Sequence, residues 1–436
     1  MPSVPNGPAH AGISLGPDRG CAVLWRDGTV ERVWDRAREP GDIEKIIAAV
    51  IRVGAGRVDA VTVDLSRLLM GAVTDESVDL GRIAVIRIVP RPASDPVLSR
   101  SPARLVERLI AERATVAGGH DLLGNELCPL DRVGLAAVAA ELAAAAVPAV
   151  AVVGAGSQAR PVHEREVADA VQAGLPDARI SVASDFGGQG LVAREATVAL
   201  DCALGPLTEE VVGRCQRALA RSAPAVALRV ARGDGGHCTP ARVRALPVVA
   251  LGAFDALIIS GAAHRAGLLD CRVLLPRPDG QLAGDVRRGL VAVRSGELSP
   301  VGVELMVPVA ALSPDPGDGT AAEVRRSTDV PVLLAAADPA ELACLGAAVS
   351  RPTSWLDEFA YIGSAAELEK VRRETQDRAR AIVMANGAAP GSAFLVEVSS
   401  VAVPYSPPGT VRIRVRMAGE PDTDPRRVAV TDRMAP

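Results

Sequence analysis

The segment Gly12–Val30 constrains the start of this chain most strongly, because it sets two short β-forming runs on either side of a glycine-containing loop. Ile13–Leu15 and Cys21–Trp25 are rich in apolar and β-branched residues, and the loop between them begins and ends with glycine. Asp27-Gly28 is a dipeptide typical of tight hairpin turns. We therefore predict that the chain opens with a β-meander.

After this meander, short apolar runs alternate with segments of helical periodicity. The alternation predicts a mainly parallel α/β sheet. We predict strands at Val58–Leu65, Ile83–Val89, Val147–Val153, Arg179–Ala183, Val226–Val230, Cys271–Leu275, Val330–Ala335, Phe394–Val401 and Thr410–Ala418. We predict helices at Asp42–Val53, Pro102–Ala114, Arg132–Ala146, Val162–Ala173, Thr208–Ala220, Ala340–Val349 and Ala365–Asn386, the last being the longest. Ser313–Thr320 is the most linker-like segment.

Composition argues against two classes of partner. The 436 residues carry a net charge of −4, which argues against a nucleic-acid-binding surface. The apolar run Leu135–Val153 is interrupted by Glu141 and Pro148, so a helix followed by a strand explains it better than a membrane span. We therefore expect neither nucleic acid nor a membrane among the partners.

The cysteines and the first residues indicate a compartment. Seven cysteines are scattered without a CxxC spacing, which favours buried free thiols over disulfides or a metal site. The first ten residues are polar and lack the apolar core of a secretory leader. We expect a cytoplasmic protein that holds no metal through its cysteines.

Four segments, in this order, resemble the hydantoinase/oxoprolinase family of ATP-dependent cyclic-amide hydrolases and related carboxylase subunits. They are Pro129–Val171, Ala199–Cys215, Arg229–Pro240 and Val396–Glu420. The first begins with Pro-Leu-Asp and contains His163-Glu164, the family's pair at the start of a helix. The order and spacing of the segments carry the resemblance, which is to the short, hydantoinase A-like form.

The resemblance implies an α/β fold of two ribonuclease-H-like domains of the actin and sugar-kinase type. A nucleotide cleft would lie between them, and a C-terminal β extension would follow. It divides the chain into a first domain at residues 11–185, a second at 186–312, a C-terminal segment at 321–420 that returns to the first domain, and a flexible tail at 421–436.

The phosphate loops that the resemblance implies are altered in this chain. Ser14 stands where the family has its metal-binding acid, and Pro17-Asp18 stands in the glycine loop. Proline removes an N–H donor, and the Asp18 carboxylate would repel phosphate. Leu275–Pro278 replaces the second phosphate loop. The positions that match the family's nucleotide loops are Gly16, Asp18, Gly235, Gly236, Arg277 and Gly346.

The candidate catalytic residues are His163, Glu164 and His237. The alternative for His163-Glu164 is a pair that opens a helix, with the acid at the positive helix end. The alternative for His237, which follows a glycine loop, is a histidine that faces solvent. Asp18 and Arg19 form either a new site or a solvated turn.

These observations favour a divergent family protein with lost or weak ATPase activity and a binding or subunit role. ATP and Mg²⁺ are implied by the resemblance alone. The alternative is an active ATP-dependent hydrolase or carboxylase subunit that acts on a hydantoin-like or 5-oxoproline-like substrate. A hydantoinase B-like subunit or a second copy of the chain is the partner that the resemblance suggests.

Overall fold

A computed structural model describes residues 9–37, 42–92, 100–278, 280–298, 301–302, 304–315, 330–404 and 406–422 of the protein. The predicted linker Ser313–Thr320 and the predicted tail therefore lie partly outside the described residues.

The first sheet contains the predicted meander. Its elements begin with β1 (Ala9–Leu15), β2 (Arg19–Arg26), β3 (Thr29–Ala37), helix α1 (Asp42–Val53), β4 (Val58–Asp64) and helix α2 (Ser66–Thr74). β9 (Ala227–Ala231) and β10 (His237–Cys238) complete the order β10-β9-β4-β1-β2-β3. β2 runs antiparallel to both of its neighbours, whereas β1, β4 and β9 are parallel. Positive φ angles at Asp27 (48°) and Gly28 (80°) confirm the predicted hairpin turn.

The second sheet is fully parallel and confirms the predicted α/β alternation. It comprises β5 (Ile83–Val89), α3 (Arg104–Leu109), β6 (Ile110–Ala117), α4 (Arg132–Ala144), β7 (Ala149–Gly154), α5 (Val162–Gly174) and β8 (Arg179–Val182), in the strand order β6-β5-β7-β8. The helix predicted at Pro102–Ala114 was wrong in its second half. Residues from Ile110 onward pair with β5, and this long-range pairing overrides the local helical pattern.

A 32-residue helix, α6 (Leu191–Ser222), packs against both sheets. The sequence analysis predicted only the second half of this helix, at Thr208–Ala220, and named Ala365–Asn386 as the longest helix. Pro206, which lies inside α6, usually ends a helix because it lacks an N–H donor. Here the helix continues, because residues on either side of Pro206 are buried in the main hydrophobic core.

The following segment builds a third, mixed sheet, a separate two-stranded sheet and the helices beside them. Its elements are α7 (Pro240–Ala245), a 3-10 turn (Pro247–Ala250), α8 (Ala253–Arg265), β11 (Cys271–Arg277), β12 (Gly280–Arg287), β13 (Leu290–Val291), β14 (Val293–Glu297), β15 (Glu304–Ala310), β16 (Leu312–Asp315), β17 (Val332–Leu334) and α9 (Pro339–Ala348). Ser313 to Asp315, predicted as linker, belong to a strand that pairs with β12. Pro247–Arg265 is long and apolar enough to cross a membrane, yet it is 72% buried within the protein, as in a core helix.

The C-terminal sheet carries its own small core. It consists of β18 (Thr353–Tyr361), α10 (Ala365–Ala385), β19 (Phe394–Ala402) and β20 (Thr410–Ala418), in the strand order β18-β20-β19. The β19–β20 pair confirms the prediction, whereas β18 was missed. Asp422 N donates to Gly387 O at 2.8 Å, so the start of the predicted flexible tail is held in place. The first sheet draws strands from both predicted domains, 11–185 and 186–312, and that division itself stays a prediction.

Close backbone contacts join α9 to β1 and to α8. A Cβ on Gly12 would lie 1.7 Å from Cys344 O, and a Cβ on Gly346 would lie 2.1 Å from Leu257 O. A Cβ on Gly261 would lie 2.0 Å from Leu342 O. Real Cβ atoms do not approach carbonyl oxygens this closely, so only glycine allows α9 to pack here.

We expect Gly346→Ala to lower the free energy of unfolding by about 3 kcal/mol, because the added methyl group forces two helix backbones apart. Chemical denaturation checks this value. Gly174→Ala is the control, since its Cβ would meet only ordinary contacts at 3.8 Å. Equal effects of the two substitutions would show that the close contact is not what requires glycine at position 346.

Candidate functional site

Ser14, at the position of the expected metal-binding acid, is bonded to an acid on the neighbouring strand. Ser14 and Asp64 lie opposite each other in the parallel pair β1–β4, and Ser14 Oγ donates to Asp64 Oδ2 at 2.9 Å. Asp64 Oδ1 accepts from the Ser66 N–H at 2.9 Å and from Ser66 Oγ at 2.6 Å. Asp64 is fully buried. Burial raises the pKa of the Asp64 carboxyl, while these hydrogen bonds oppose the shift.

The amino end of α8 is bonded to the same group of side chains. The Phe254 N–H donates to Ser66 Oγ at 3.0 Å, so the Ser66 hydroxyl donates to one residue and accepts from another. The helix is entered through Gly252, whose φ of 74° is left-handed. Ser66 therefore connects the first sheet to the start of α8.

A chain of contacts extends from the loop of the first hairpin to β11. Arg67 lies 3.4 Å from Asp18 Oδ1, and its guanidinium lies 4.9 Å from the centre of the Phe254 ring. The next residue along α8, Asp255, pairs with Arg277 of β11. We call this chain from Asp18 through Arg67 and Phe254–Asp255 to Arg277 the arginine bridge.

A second ion pair ties the same hairpin to α9. Arg19 donates to Asp35 at 2.7 Å and to Asp338 at 2.8 Å. Asp338 also caps α9, accepting from the Ala340 N–H at 2.8 Å. Arg19 was predicted to lie either in a new site or in a solvated turn; it is in fact engaged with two acids, whereas the Asp18 side chain is 77% exposed.

Part of the chain matches a known protein family. Residues 100–175 match the family model described as "Hydantoinase/oxoprolinase N-terminal region". No curated protein sequence matches the chain. The resemblance to the hydantoinase/oxoprolinase family is confirmed.

Two solved structures share the fold. A nucleotide-free acetone carboxylase, from a study of ATP-dependent acetone carboxylation, superimposes with a TM-score of 0.65 at 12% identity, over 96% of this chain and 89% of that one. The ATP-dependent caprolactamase from Pseudomonas jessenii superimposes with a TM-score of 0.62 at 12% identity, over 95% and 88%. The chain is thus a mixed α/β protein with several sheets, similar in fold to an ATP-dependent carboxylase and an ATP-dependent caprolactamase.

The residues at the arginine bridge do not fit the metal and nucleotide that the family name implies. Mg²⁺ binds carboxylate oxygens and waters in a strict octahedron. The Asp64 carboxylate, next to position 14, is fully buried and accepts three hydrogen bonds from the protein. Arg67 and Arg277 contact acids of the chain itself, and Pro17 offers no N–H donor.

Five of the six predicted nucleotide-loop residues fall into two groups. Gly16, Asp18 and Arg277 lie at or beside the arginine bridge. Gly235 and Gly346 instead line a cavity of about 470 Å³ together with His10, Trp25 and His264. This cavity adjoins the carboxyl end of α8, whereas the bridge uses its amino end. Asp255 of the bridge and His264 of the cavity are nine residues apart on this helix, which corresponds to about 14 Å along its axis.

Packing accounts for two of these glycines. Gly346 allows the close approach of α8 and α9 described above. A Cβ on Gly236 would lie 2.0 Å from Thr353 Oγ1, where β18 crosses the loop. The close packing at Gly236 and Gly346 is therefore sufficient to require glycine at both positions.

His163 and Glu164 open α5, as the alternative interpretation predicted, and both are buried. Glu164 accepts from the Gly154 N–H at 2.6 Å and the Ser184 N–H at 2.8 Å, and lies 3.2 Å from Arg194. His163 Nδ1 accepts from the Gly119 N–H at 2.9 Å. These bonds connect the ends of parallel strands, and the catalytic role of the pair stays a prediction.

His237 does not face solvent, and that expectation was wrong. It lies on β10, is 1% exposed, and its Nδ1 lies 3.0 Å from Ser350 Oγ. Pairing of β10 with β9 draws the residue into the interior. Burial lowers the pKa of His237 well below its usual value, so the imidazole is neutral at pH 7. Its Nε2 is buried with no hydrogen-bond partner among the described residues.

Sequence reasoning missed the acid beside position 14. The sequence placed Asp64 within the predicted strand Val58–Leu65 and gave it no role. The available signal was its position at the end of a predicted strand, because parallel neighbours end at the same sheet edge. No feature of the sequence indicated that Arg67 and Phe254 would contact each other. Within the described residues, no cluster of three or more His, Cys, Asp or Glu side chains could hold a metal ion.

We expect Asp64→Asn to change how stability depends on pH. The folded-state pKa lies above the unfolded value of 3.8, so the wild-type free energy of unfolding falls as pH rises through the raised pKa. Asparagine does not titrate, can accept from Ser66 and can donate to Ser14 Oγ. The stability of the variant relative to wild type should therefore rise over the same pH range.

Urea denaturation at pH values from about 4 to 8 measures this difference. Asp59→Asn is the control, because Asp59 lies on the same strand and is exposed. A difference between wild type and Asp64→Asn that stays constant with pH would contradict the role of burial.

We expect Glu164→Gln to cost about 3 kcal/mol of unfolding free energy, because it leaves the buried Arg194 without its acid. Glu166→Gln is the matched control on the same helix, since Glu166 pairs with Arg132, which is 71% exposed. Thermal and urea denaturation of both variants check the prediction. Equal stability of the two variants would argue against a structural role for Glu164.

Proposed function

We propose that this chain is a divergent relative of the ATP-dependent cyclic-amide hydrolases in which the ATPase site has been lost or weakened, and that it acts by binding or as a subunit. The arginine bridge is the observation that carries the proposal. It joins the two segments that correspond to the family's phosphate loops by contacts within the chain itself. A triphosphate with Mg²⁺ would have to break these ion pairs and uncover Asp64.

We propose further that the first and third sheets are the two ribonuclease-H-like domains. The first sheet supports this through its order β3-β2-β1-β4-β9, with only β2 reversed. The third sheet repeats part of that pattern: β11 pairs antiparallel with β12 and parallel with β17. On this view the arginine bridge crosses the cleft between the domains.

A second candidate function is an active ATP-dependent hydrolase or carboxylase subunit for a hydantoin-like or 5-oxoproline-like substrate. Asp64 favours this alternative, because it sets a carboxylate one strand away from the position of the family's acid. A rearrangement that exposed Asp64 would restore an oxygen ligand near the hairpin loop.

The partner that we propose is a hydantoinase B-like subunit, with a second copy of the chain as the alternative. We propose that the protein is located in the cytoplasm. All seven cysteines are free thiols and six of them are buried, which suits a reducing environment.

Isothermal titration of the full chain with ATP and Mg²⁺ tests the loss of nucleotide binding. We expect no heat of binding up to about 1 mM nucleotide, because the ion pairs of the bridge oppose binding. Micromolar binding together with hydantoin-dependent or 5-oxoproline-dependent ATP hydrolysis would overturn the proposal.

If such hydrolysis were found, Asp64→Asn would separate the two candidate functions. Loss of turnover in this variant, with turnover kept in Asp59→Asn, would support a relocated acid.

Co-purification with a B-like polypeptide, or a dimer on size exclusion, tests the subunit role. A monomer that retains no other polypeptide would leave small-molecule binding as the proposed role.

A further inference from the structure

A second cavity, of about 120 Å³, lies where β8, α7 and the C-terminal sheet meet. Its walls include Ser184 after β8, Arg232 after β9, Arg242 on α7 and Trp355 on β18. It shares no residue with the arginine bridge or with the cavity near His10. Proteins of open parallel sheets commonly bind ligands beyond the carboxyl ends of their strands, and Ser184 follows such an end.

Arg242 is a cation without an acid in contact with it, and the acids that act on it, Asp185 and Asp201, do so without forming an ion pair. The side chain is partly buried, and its guanidinium makes no ion pair or hydrogen bond within the described residues. Its Nε is completely buried. A desolvated guanidinium without a partner is costly, and a bound anion is a common means of compensation.

The neighbouring charges do not supply that compensation. Arg232 is 4% exposed, and its Nε lies 3.4 Å from Asp234 Oδ1. Arg416 is 3% exposed and donates to the main-chain oxygen of Asp234 at 2.8 Å. Burial and the charge of Arg232 both lower the pKa of Arg242. The Asp234 carboxylate therefore serves Arg232 and Arg416, and Arg242 is left with only the longer-range influence of Asp185 and Asp201.

The acids that line the cavity are engaged or lie at its rim. Asp357 pairs with Arg412 and Arg414, and Glu358 pairs with Arg378. Asp185 is exposed. No lining acid therefore contacts Arg242.

The remaining walls restrict the anion to a small organic one. Phe186, Met306, Trp355 and Ile382 supply aromatic and apolar surface. Ser184 Oγ is buried without a hydrogen-bond partner and can donate to an oxyanion. The volume admits on the order of ten non-hydrogen atoms.

We propose that this cavity binds a small apolar or aromatic monocarboxylate. Arg242 and Arg232 hold the carboxylate, Ser184 donates to it, and the organic group packs against Trp355 and Met306. The planar guanidinium fork suits a carboxylate better than a point charge would. This binding is independent of whether the chain binds nucleotide.

Isothermal titration of the full chain with sodium benzoate at low ionic strength tests the proposal, with inorganic phosphate as the second probe. We expect benzoate to bind, and Arg242→Gln to weaken it at least about tenfold, as for loss of a charge-assisted contact. Arg244→Gln is the matched control, because Arg244 lies on the same helix and pairs with Glu209 and Gln216. It should bind benzoate within about twofold of wild type.

The melting temperature without ligand separates a binding role from a structural one. Arg242→Gln removes a cation that has no partner, so its melting temperature should equal or exceed that of wild type. A marked loss of stability in this variant would show that Arg242 is structural and would overturn the proposal.

Three binding results would also overturn it. One is no benzoate binding at about 10 mM. Another is phosphate binding without benzoate binding, which would assign the cavity to an inorganic anion. The third is equal benzoate affinity in Arg242→Gln and wild type, which would place the binding elsewhere.

Discussion

The backbone of α9 touches β1 on one side and α8 on the other, and the rest of the architecture depends on this contact. Gly12, Gly261 and Gly346 remove the side chains that would keep these elements apart. Because α9 follows β17 and α8 precedes β11, the contact fixes the third sheet against the first. The loop of the first hairpin and the end of β11 thereby come within reach of one arginine bridge.

Charge pairing within the chain dominates the region where the family resemblance implies a nucleotide. Asp64 is desolvated beneath two serine hydroxyls, Arg19 is divided between two acids, and Arg67 and Arg277 each contact an acid. Exposed pairs such as Arg67–Asp18 contribute little stability. Their effect is on recognition, because a phosphate would compete with carboxylates already in place. The cavity at Arg242 shows the opposite condition, in which a partly buried guanidinium has no acid in contact with it.

Buried ionisable side chains therefore have different roles in different parts of the structure. Glu164 and Arg194 are both buried and paired, and they join strand ends. Arg242 is partly buried and unpaired in the described part of the chain, and a ligand is the simplest means to satisfy it. His237 is neutral and held by Ser350 in the interior of the protein. Residue type alone did not separate these cases.

The sequence by itself determined the opening hairpin, the parallel α/β alternation, the C-terminal β pair and the resemblance to the hydantoinase/oxoprolinase family. These follow from local periodicity, turn chemistry and motif order, which are properties of neighbouring residues. Only the tertiary structure decided that Ile110–Ala117 is a strand, that Pro206 lies inside a helix, and that Asp64 bonds to Ser14. Burial between sheets, long-range pairing and the alignment of parallel strand ends set these outcomes, and each depends on residues far apart in the chain.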